Sequence, residues 1–150
     1  MKHPIKILSL ALTAVVLSAC GSTKVSVAEG KAGELESISR ICIIPNAKRT
    51  PKGLENVIAR SLKKHGIDSE IVNVSDRKRL YTPECRYNLR YVSAGSPQMI
   101  EKITIILRTP DYGVATIGYN VSDDPAWRSM PDLQKQTNGI IARLLGKNTQ

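Results

Sequence analysis

The sequence contains no phenylalanine, and Trp127 is the single tryptophan among its 150 residues. A hydrophobic core must therefore be built from isoleucine, leucine and valine, with help from five tyrosines. The scarcity of aromatic residues does not imply disorder, because 41% hydrophobic and 23% charged residues are ordinary values for a globular protein. The length allows one domain with a single core.

Histidine is scarce as well, which limits the catalytic chemistry available to the chain. The two histidines are His3 and His65. His65 stands between Lys64 and Gly66, so we interpret it as a partly cationic ring that complements the end of a helix. The glycines stand apart in the sequence, which excludes a phosphate loop of the P-loop or dinucleotide-binding kind. We therefore expect no metal site, no cofactor and no catalytic residue of these types.

The sequence also has no apolar run long enough to cross a bilayer. Residues 7–17 are largely apolar, whereas a transmembrane helix needs about 20 such residues. The run follows Lys2 and Lys6, and two small residues come after it, as in a secretory signal with an apolar region of about 7 to 15 residues. We predict that residues 1–19 are a signal peptide.

The end of this run has a specific pattern. The motif Leu17-Ser18-Ala19-Cys20 resembles the lipobox of bacterial lipoproteins. The resemblance implies cleavage before Cys20, with palmitate or a related acyl chain added to the thiol and to the new amino terminus. Because Gly21 and not aspartate follows, it also implies an anchor in the outer membrane. The alternatives are an ordinary secretory signal, or an uncleaved apolar segment, with a cysteine there by chance.

The remaining sequence divides into a tether, one domain and a tail. Residues 20–37 are polar and lack sustained periodicity, which predicts a lipidated flexible tether. Residues 38–146 form the predicted α/β domain and residues 147–150 the tail. Apolar runs and alternation predict strands, and apolar spacing of three and four residues predicts helices. The predicted strands lie near residues 38–45, 68–74, 86–92, 103–107 and 115–121, and the predicted helices cover residues 51–66 and 133–144.

This order of elements, β-α-β-β-β-β-α, is typical of an α+β fold. Short turns between the last strands predict antiparallel neighbours. We expect a two-layer sandwich, in which two helices cover one face of a mixed or antiparallel sheet of about five strands.

The cysteine count bears on the compartment. If Cys20 carries lipid outside the cytoplasm, Cys42 and Cys85 remain in an oxidising environment. Cys42 lies in the first predicted strand, and Cys85 has the same parity as Tyr87, Leu89 and Tyr91, so we expect both to face the interior, which favours a disulfide between them. The alternative is a pair of buried, unpaired thiols.

The chain is strongly basic, with 22 lysine and arginine residues against 13 acidic residues. Loss of residues 1–19 would remove two lysines and no acid. Polybasic clusters attract anionic surfaces, and export makes nucleic acid an implausible partner. The alternative is a solvated face that keeps the protein soluble. Our candidate residues for binding an anionic surface are Lys52, Arg60, Lys63, Lys64, Arg77, Lys78 and Arg79.

A second resemblance covers most of the mature chain. The run Ile41-Cys42-Ile43-Ile44-Pro45, a helix ending at Gly66, residues 85–91, a hairpin and a closing helix together resemble small outer-membrane lipoproteins of unknown function from Gram-negative bacteria. The resemblance implies a lipid-anchored protein that faces the periplasm. We expect a non-enzymatic binding, assembly or accessory module, whose partner is an envelope protein or an anionic glycolipid.

The alternative function is an envelope enzyme that acts on cell-wall glycan. Asp123 and Asp124 stand near Trp127, and paired carboxylates beside an aromatic ring are typical of glycan-cleaving sites. Such an enzyme requires an acidic cleft at these residues, whereas a binding module does not.

Overall fold

The computed structural model describes residues 23–147. The predicted signal peptide, Cys20 and most of the predicted tail lie outside the described residues. Six strands form one mixed sheet in the order β1-β6-β5-β4-β2-β3. The strands are β1 (Lys24–Val27), β2 (Arg40–Ile43), β3 (Asp68–Ile71), β4 (Asn88–Ser96), β5 (Met99–Arg108) and β6 (Gly113–Asn120). The helices are α1 (Ala32–Ser37), α2 (Leu54–Lys64), α3 (Ala126–Ser129) and α4 (Leu133–Leu144).

The predicted α+β class is confirmed, with six strands where the sequence predicts about five. Strand β2 runs parallel to both β3 and β4, whereas the pairs β4–β5, β5–β6 and β6–β1 are antiparallel. The predicted final helix, residues 133–144, matches α4. None of the helices in the described part of the chain is long and apolar enough to cross a membrane.

The main core lies between one face of the sheet and the helices α2 and α4. Alternate residues of the central strands point into it, and Leu89, Ile105 and Ile117 are fully buried there. Leu62 and Ile141 pack onto them from α2 and α4. The core is largely aliphatic, with Tyr91 and Tyr119 buried in it. Apart from the 3₁₀ segment beside the start of β4, the other face of β4, β5 and β6 has no covering helix among residues 23–147.

The prediction of a flexible tether is wrong from Lys24 to Ser37. Lys24–Val27 pairs with β6 as the edge strand β1, and α1 follows it. The reason is that a strand of four exposed residues gains its order from backbone hydrogen bonds to β6, and two alternating valines are too short a pattern to predict a strand. Helix α1 is too short for a periodic pattern, and it is held by the buried Leu35 and by Glu34.

Glu34 fastens α1 to the sheet through two tyrosines. Its carboxylate accepts hydrogen bonds from the hydroxyls of Tyr112 (2.5 Å) and Tyr87 (2.7 Å) and pairs with Lys31 at 3.2 Å. These bonds lower the pKa of Glu34 to about 2, and the hydrogen bond from Tyr112 has the largest effect. Because the folded pKa lies below the usual value, this stabilisation is complete at neutral pH and is lost as the pH falls toward 2.

A smaller core on the opposite face contains the disulfide. Cys42 and Cys85 are bonded, with their Cα atoms 5.2 Å apart, so the predicted pairing is confirmed. Both are fully buried beside Val72 and Leu80. The bond fastens the segment of two 3₁₀ turns, Arg77–Tyr81 and Pro83–Cys85, onto β2.

Candidate functional site

The structure divides the seven basic candidate residues between two faces of the sheet. Lys52, Arg60, Lys63 and Lys64 lie on or next to α2, on the helix-covered face. Arg77, Lys78 and Arg79 lie in the first 3₁₀ turn, which packs on the opposite face through Leu80. The seven residues therefore do not all lie on one face of the sheet.

Several of these side chains already have partners within the protein. Lys63 pairs with Asp68 at 2.7 Å, and Arg60 donates to the side-chain oxygen of Gln134 at 2.7 Å. Arg79 donates two hydrogen bonds to Glu70, at 2.9 and 2.7 Å. Such pairs leave less charge available to an external anion.

A groove with a cavity of about 570 Å³ lies beside Trp127. It is lined by Lys64 and His65 at the end of α2, by Lys135 and Arg143 of α4, and by Trp127. We call it the Trp127 groove. Among residues 23–147, its charged lining residues are three bases and one acid, Asp124, in contrast to the acidic cleft that an enzyme acting on glycan requires.

The two neighbouring carboxylates do not converge on the Trp127 groove as a pair. Asp124 lines it but is paired with Arg143 at 3.1 Å. Asp123 accepts a hydrogen bond from the hydroxyl of Thr23. From the described residues alone, the groove thus receives no pair of available carboxyl groups, an acid and a base or nucleophile, on which glycoside hydrolysis depends.

His65 departs from the interpretation based on the sequence. Desolvation by burial lowers its pKa, and the neighbouring charges of Lys147 and Lys64 lower it further. These surroundings oppose the partly cationic form that would complement the end of α2. The sequence placed it correctly at the helix end but could not show how its surroundings favour the neutral form.

A second cavity, of about 310 Å³, opens on the opposite face of the sheet. Arg77, Arg90 and Arg108 line it, together with Asn88 and the exposed ring of Tyr81. We call it the arginine cavity. It brings together one residue of the predicted basic set, Arg77, and two arginines that the sequence analysis did not select.

Solved structures of PelC have a similar architecture. No family model matches the sequence, and no curated protein matches it. A variant of PelC from Paraburkholderia phytofirmans, solved as a dodecamer, is 18% identical over 83% of this chain and 95% of that chain, with a TM-score of 0.52. A second structure of the PelC dodecamer is 16% identical over 85% and 99% of the two chains, with a TM-score of 0.51. This chain shares the fold of PelC.

At this level of identity the likeness concerns the fold, and it assigns no residue of either cavity. The arginine cavity has its own signal in the sequence. Asn88 and Arg90 alternate with the buried Leu89 and Tyr91, so they had to share the face opposite the main core. Their proximity to Arg108 depends on the register of β4 and β5, which the sequence does not specify.

Proposed function

We propose that this chain is a lipid-anchored, non-enzymatic module of the bacterial envelope that binds and assembles partners at the outer membrane. It is anchored through Cys20 and faces the periplasm, and its partners are an envelope protein or an anionic glycolipid, not nucleic acid. The observation that carries the proposal is the uncovered face of the sheet. There Val92 and Ile106 are 51% and 42% exposed beside Arg90, and no helix of the described chain covers them.

The start of β1 brings this domain close to the proposed anchor. Lys24 is the first residue of β1 and lies four positions after Cys20. Four residues of extended chain span at most about 14 Å. The domain therefore lies against the membrane, with the amino-terminal end of β1 nearest to it.

The disulfide supports a location outside the cytoplasm. Structural disulfides are rare in cytosolic proteins, where thiols are kept reduced, and common in exported proteins. A fully buried pair such as Cys42 and Cys85 has a structural role. The bond therefore agrees with the export that residues 1–20 predict.

We further propose that the module assembles from several copies. The two PelC structures that share its fold are dodecamers. Head-to-tail assembly into a ring requires two different surfaces on one subunit. The open sheet has two such surfaces, the outer edges of β1 and β3, which expose Val25 and Ile71 to 44% and 41%.

Metabolic labelling tests the anchor. In Gram-negative cells given an alkyne-tagged fatty acid, we expect the wild-type chain to incorporate the tag and the Cys20→Ala variant to lose it completely. Fractionation should recover the wild type with the outer membrane. Gly21→Asp should move the chain to the inner membrane, and the matched variant Gly21→Ser should leave it in place. Incorporation of the tag by Cys20→Ala would contradict the proposed anchor.

Native mass spectrometry of the detergent-purified chain tests the assembly. We expect a discrete oligomer for the wild type and a shift to monomer for Val25→Glu, because a charge on the edge strand opposes edge-to-edge pairing. Val92→Glu is the control, since Val92 is 51% exposed against 44% for Val25 but lies on a strand inside the sheet, not at its edge. A monomeric wild type, or equal effects of the two substitutions, would overturn the proposed use of β1.

A further inference from the structure

The register of two strands places the polar side chains of the arginine cavity next to one another. Asn88 on β4 lies directly opposite Arg108 on β5. Arg90 lies two residues further along β4, on the same face, where directly opposed and diagonal side chains come within reach of each other. Arg77 reaches the same cavity from the 3₁₀ turn, which the disulfide segment holds in place.

The arginine cavity carries positive charge that the described chain does not neutralise. No aspartate or glutamate of residues 23–147 lines it. Arg77 and Arg90 form no ion pair with any residue of that range, whereas Arg108 donates to the backbone oxygens of Thr109 and Pro110 at 2.9 and 3.3 Å. Arg90 and Arg108 are diagonal neighbours on the same face of the sheet, within reach of each other, so their like charges repel and a bound anion would relieve that repulsion.

Asn88 supplies a second, independent indication of a ligand. Its side chain lines the cavity although the residue is only 4% exposed. Its Oδ1 atom is buried and accepts no hydrogen bond from any described residue. Buried polar atoms are nearly always hydrogen-bonded, and an amide oxygen requires a donor. The arginine side chains attract an anion. The unpaired Oδ1 atom of Asn88 requires a hydrogen-bond donor, such as a hydroxyl or amide group, on the same molecule.

We propose that the arginine cavity binds a phosphate monoester carried by a sugar, either free or in the head group of a glycolipid. Guanidinium groups bind phosphate through paired, charge-assisted hydrogen bonds. A sugar hydroxyl donates to Asn88, and the exposed ring of Tyr81 lies against the sugar. A volume of about 310 Å³ is at the small end of ligand pockets, which suits a single sugar residue.

The inference deepens the proposed binding function but does not depend on the anchor, because Cys20 plays no part in the cavity. A failure of the lipidation test would therefore leave the site standing, and a failure to bind would leave the anchor standing. The test uses the full chain purified in detergent and titrated calorimetrically with glucose 1-phosphate. Glucose and inorganic phosphate are the reference probes.

We expect glucose 1-phosphate to bind about tenfold more tightly than either reference probe, because only it engages both the arginines and Asn88. Arg90→Gln should weaken this binding about tenfold. The matched control is Lys48→Gln, which removes one charge from an exposed position that does not line the cavity, and it should change the affinity by less than about twofold. Equal affinities for wild type and Arg90→Gln, or no preference over glucose, would overturn the proposal.

Asn88→Asp provides a test that does not depend on losing an arginine. The new carboxylate has nearly the same shape as the amide and places an anion opposite Arg108. We expect it to abolish binding of glucose 1-phosphate while raising the melting temperature of the unliganded chain. A variant that binds as the wild type does would overturn the site.

The source of the sugar phosphate is distinguished with vesicles. Phosphatidylcholine vesicles that contain one-tenth lipid A are compared with pure phosphatidylcholine vesicles, using wild type and Arg90→Gln. Binding that requires both lipid A and Arg90 assigns the site to a glycolipid head group. If Arg90 is required for binding glucose 1-phosphate but not for binding lipid A vesicles, the site is assigned to a soluble sugar phosphate. If neither probe requires Arg90, the proposal fails.

Discussion

Replacement of Cys42 and Cys85 together by alanine will lower the free energy of unfolding by about 4 kcal/mol. The disulfide joins residues 43 positions apart, and a cross-link across such a loop restricts the unfolded chain by about this amount in the chain-entropy model. For a domain of 125 described residues, the loss corresponds to a fall in melting temperature of roughly 15 °C. Urea denaturation followed by circular dichroism measures it.

The control for this double variant is the wild-type chain unfolded in the presence of a reducing agent. Its stability should fall to that of the variant, whereas the variant itself should not respond to the reducing agent. A loss below about 1 kcal/mol would show that the smaller core holds the segment without the bond. Loss of the disulfide should also disturb the arginine cavity, because Cys85 and Leu80 hold the segment that carries Arg77.

The sequence specified the long elements of the fold because each has its own apolar pattern. In α2, Leu54, Ile58 and Leu62 recur at helical spacing, and all three are fully buried. In β5, Ile103, Ile105 and Leu107 alternate with exposed residues. A pattern of this kind is local, so it can be read without knowing which elements are neighbours.

The elements and sites that the sequence missed depend on contacts between distant residues. Strand β1 exists because Lys24–Val27 pairs with β6, about ninety positions away along the chain. The arginine cavity exists because Arg108 lies opposite Asn88. A count of basic residues grouped Lys64 with Arg77, but the helix and the 3₁₀ turn lie on opposite faces of the sheet. Positive charges that are near each other in the sequence therefore lie on different faces of the sheet.

Gln136 is another residue whose role depends on contacts between distant parts of the chain. It interrupts the apolar stripe of α4 yet is only 2% exposed. Its Oε1 accepts from the backbone N–H of Ile100 at 2.7 Å, and its Nε2 donates to the Ile100 carbonyl at 2.8 Å and to the Tyr119 hydroxyl at 3.1 Å. The last register pair of β5 and β6 is Lys102 with Asn120. Ile100 lies beyond it, so the side chain of Gln136 takes the place of a missing strand partner.

Gln136→Ala will lower the free energy of unfolding by about 3 to 5 kcal/mol. Each buried donor or acceptor left without a partner costs about 1 to 3 kcal/mol, and this substitution leaves both backbone groups of Ile100 without one. It also removes the donor to the hydroxyl of Tyr119, which keeps its hydrogen bond with Asp124. Urea denaturation measures the loss, and faster hydrogen exchange at the Ile100 amide locates it.

Lys135→Ala is the control, because Lys135 is the exposed neighbour of Gln136 on α4, and it should change the stability by less than about 0.5 kcal/mol. If Gln136→Ala were as mild as this control, or if exchange at Ile100 were unchanged, α4 would be held by its apolar stripe alone. The expected result instead makes one amide side chain the polar link between α4 and the end of β5. That link fixes the position of the helix whose Lys135 and Arg143 line the Trp127 groove.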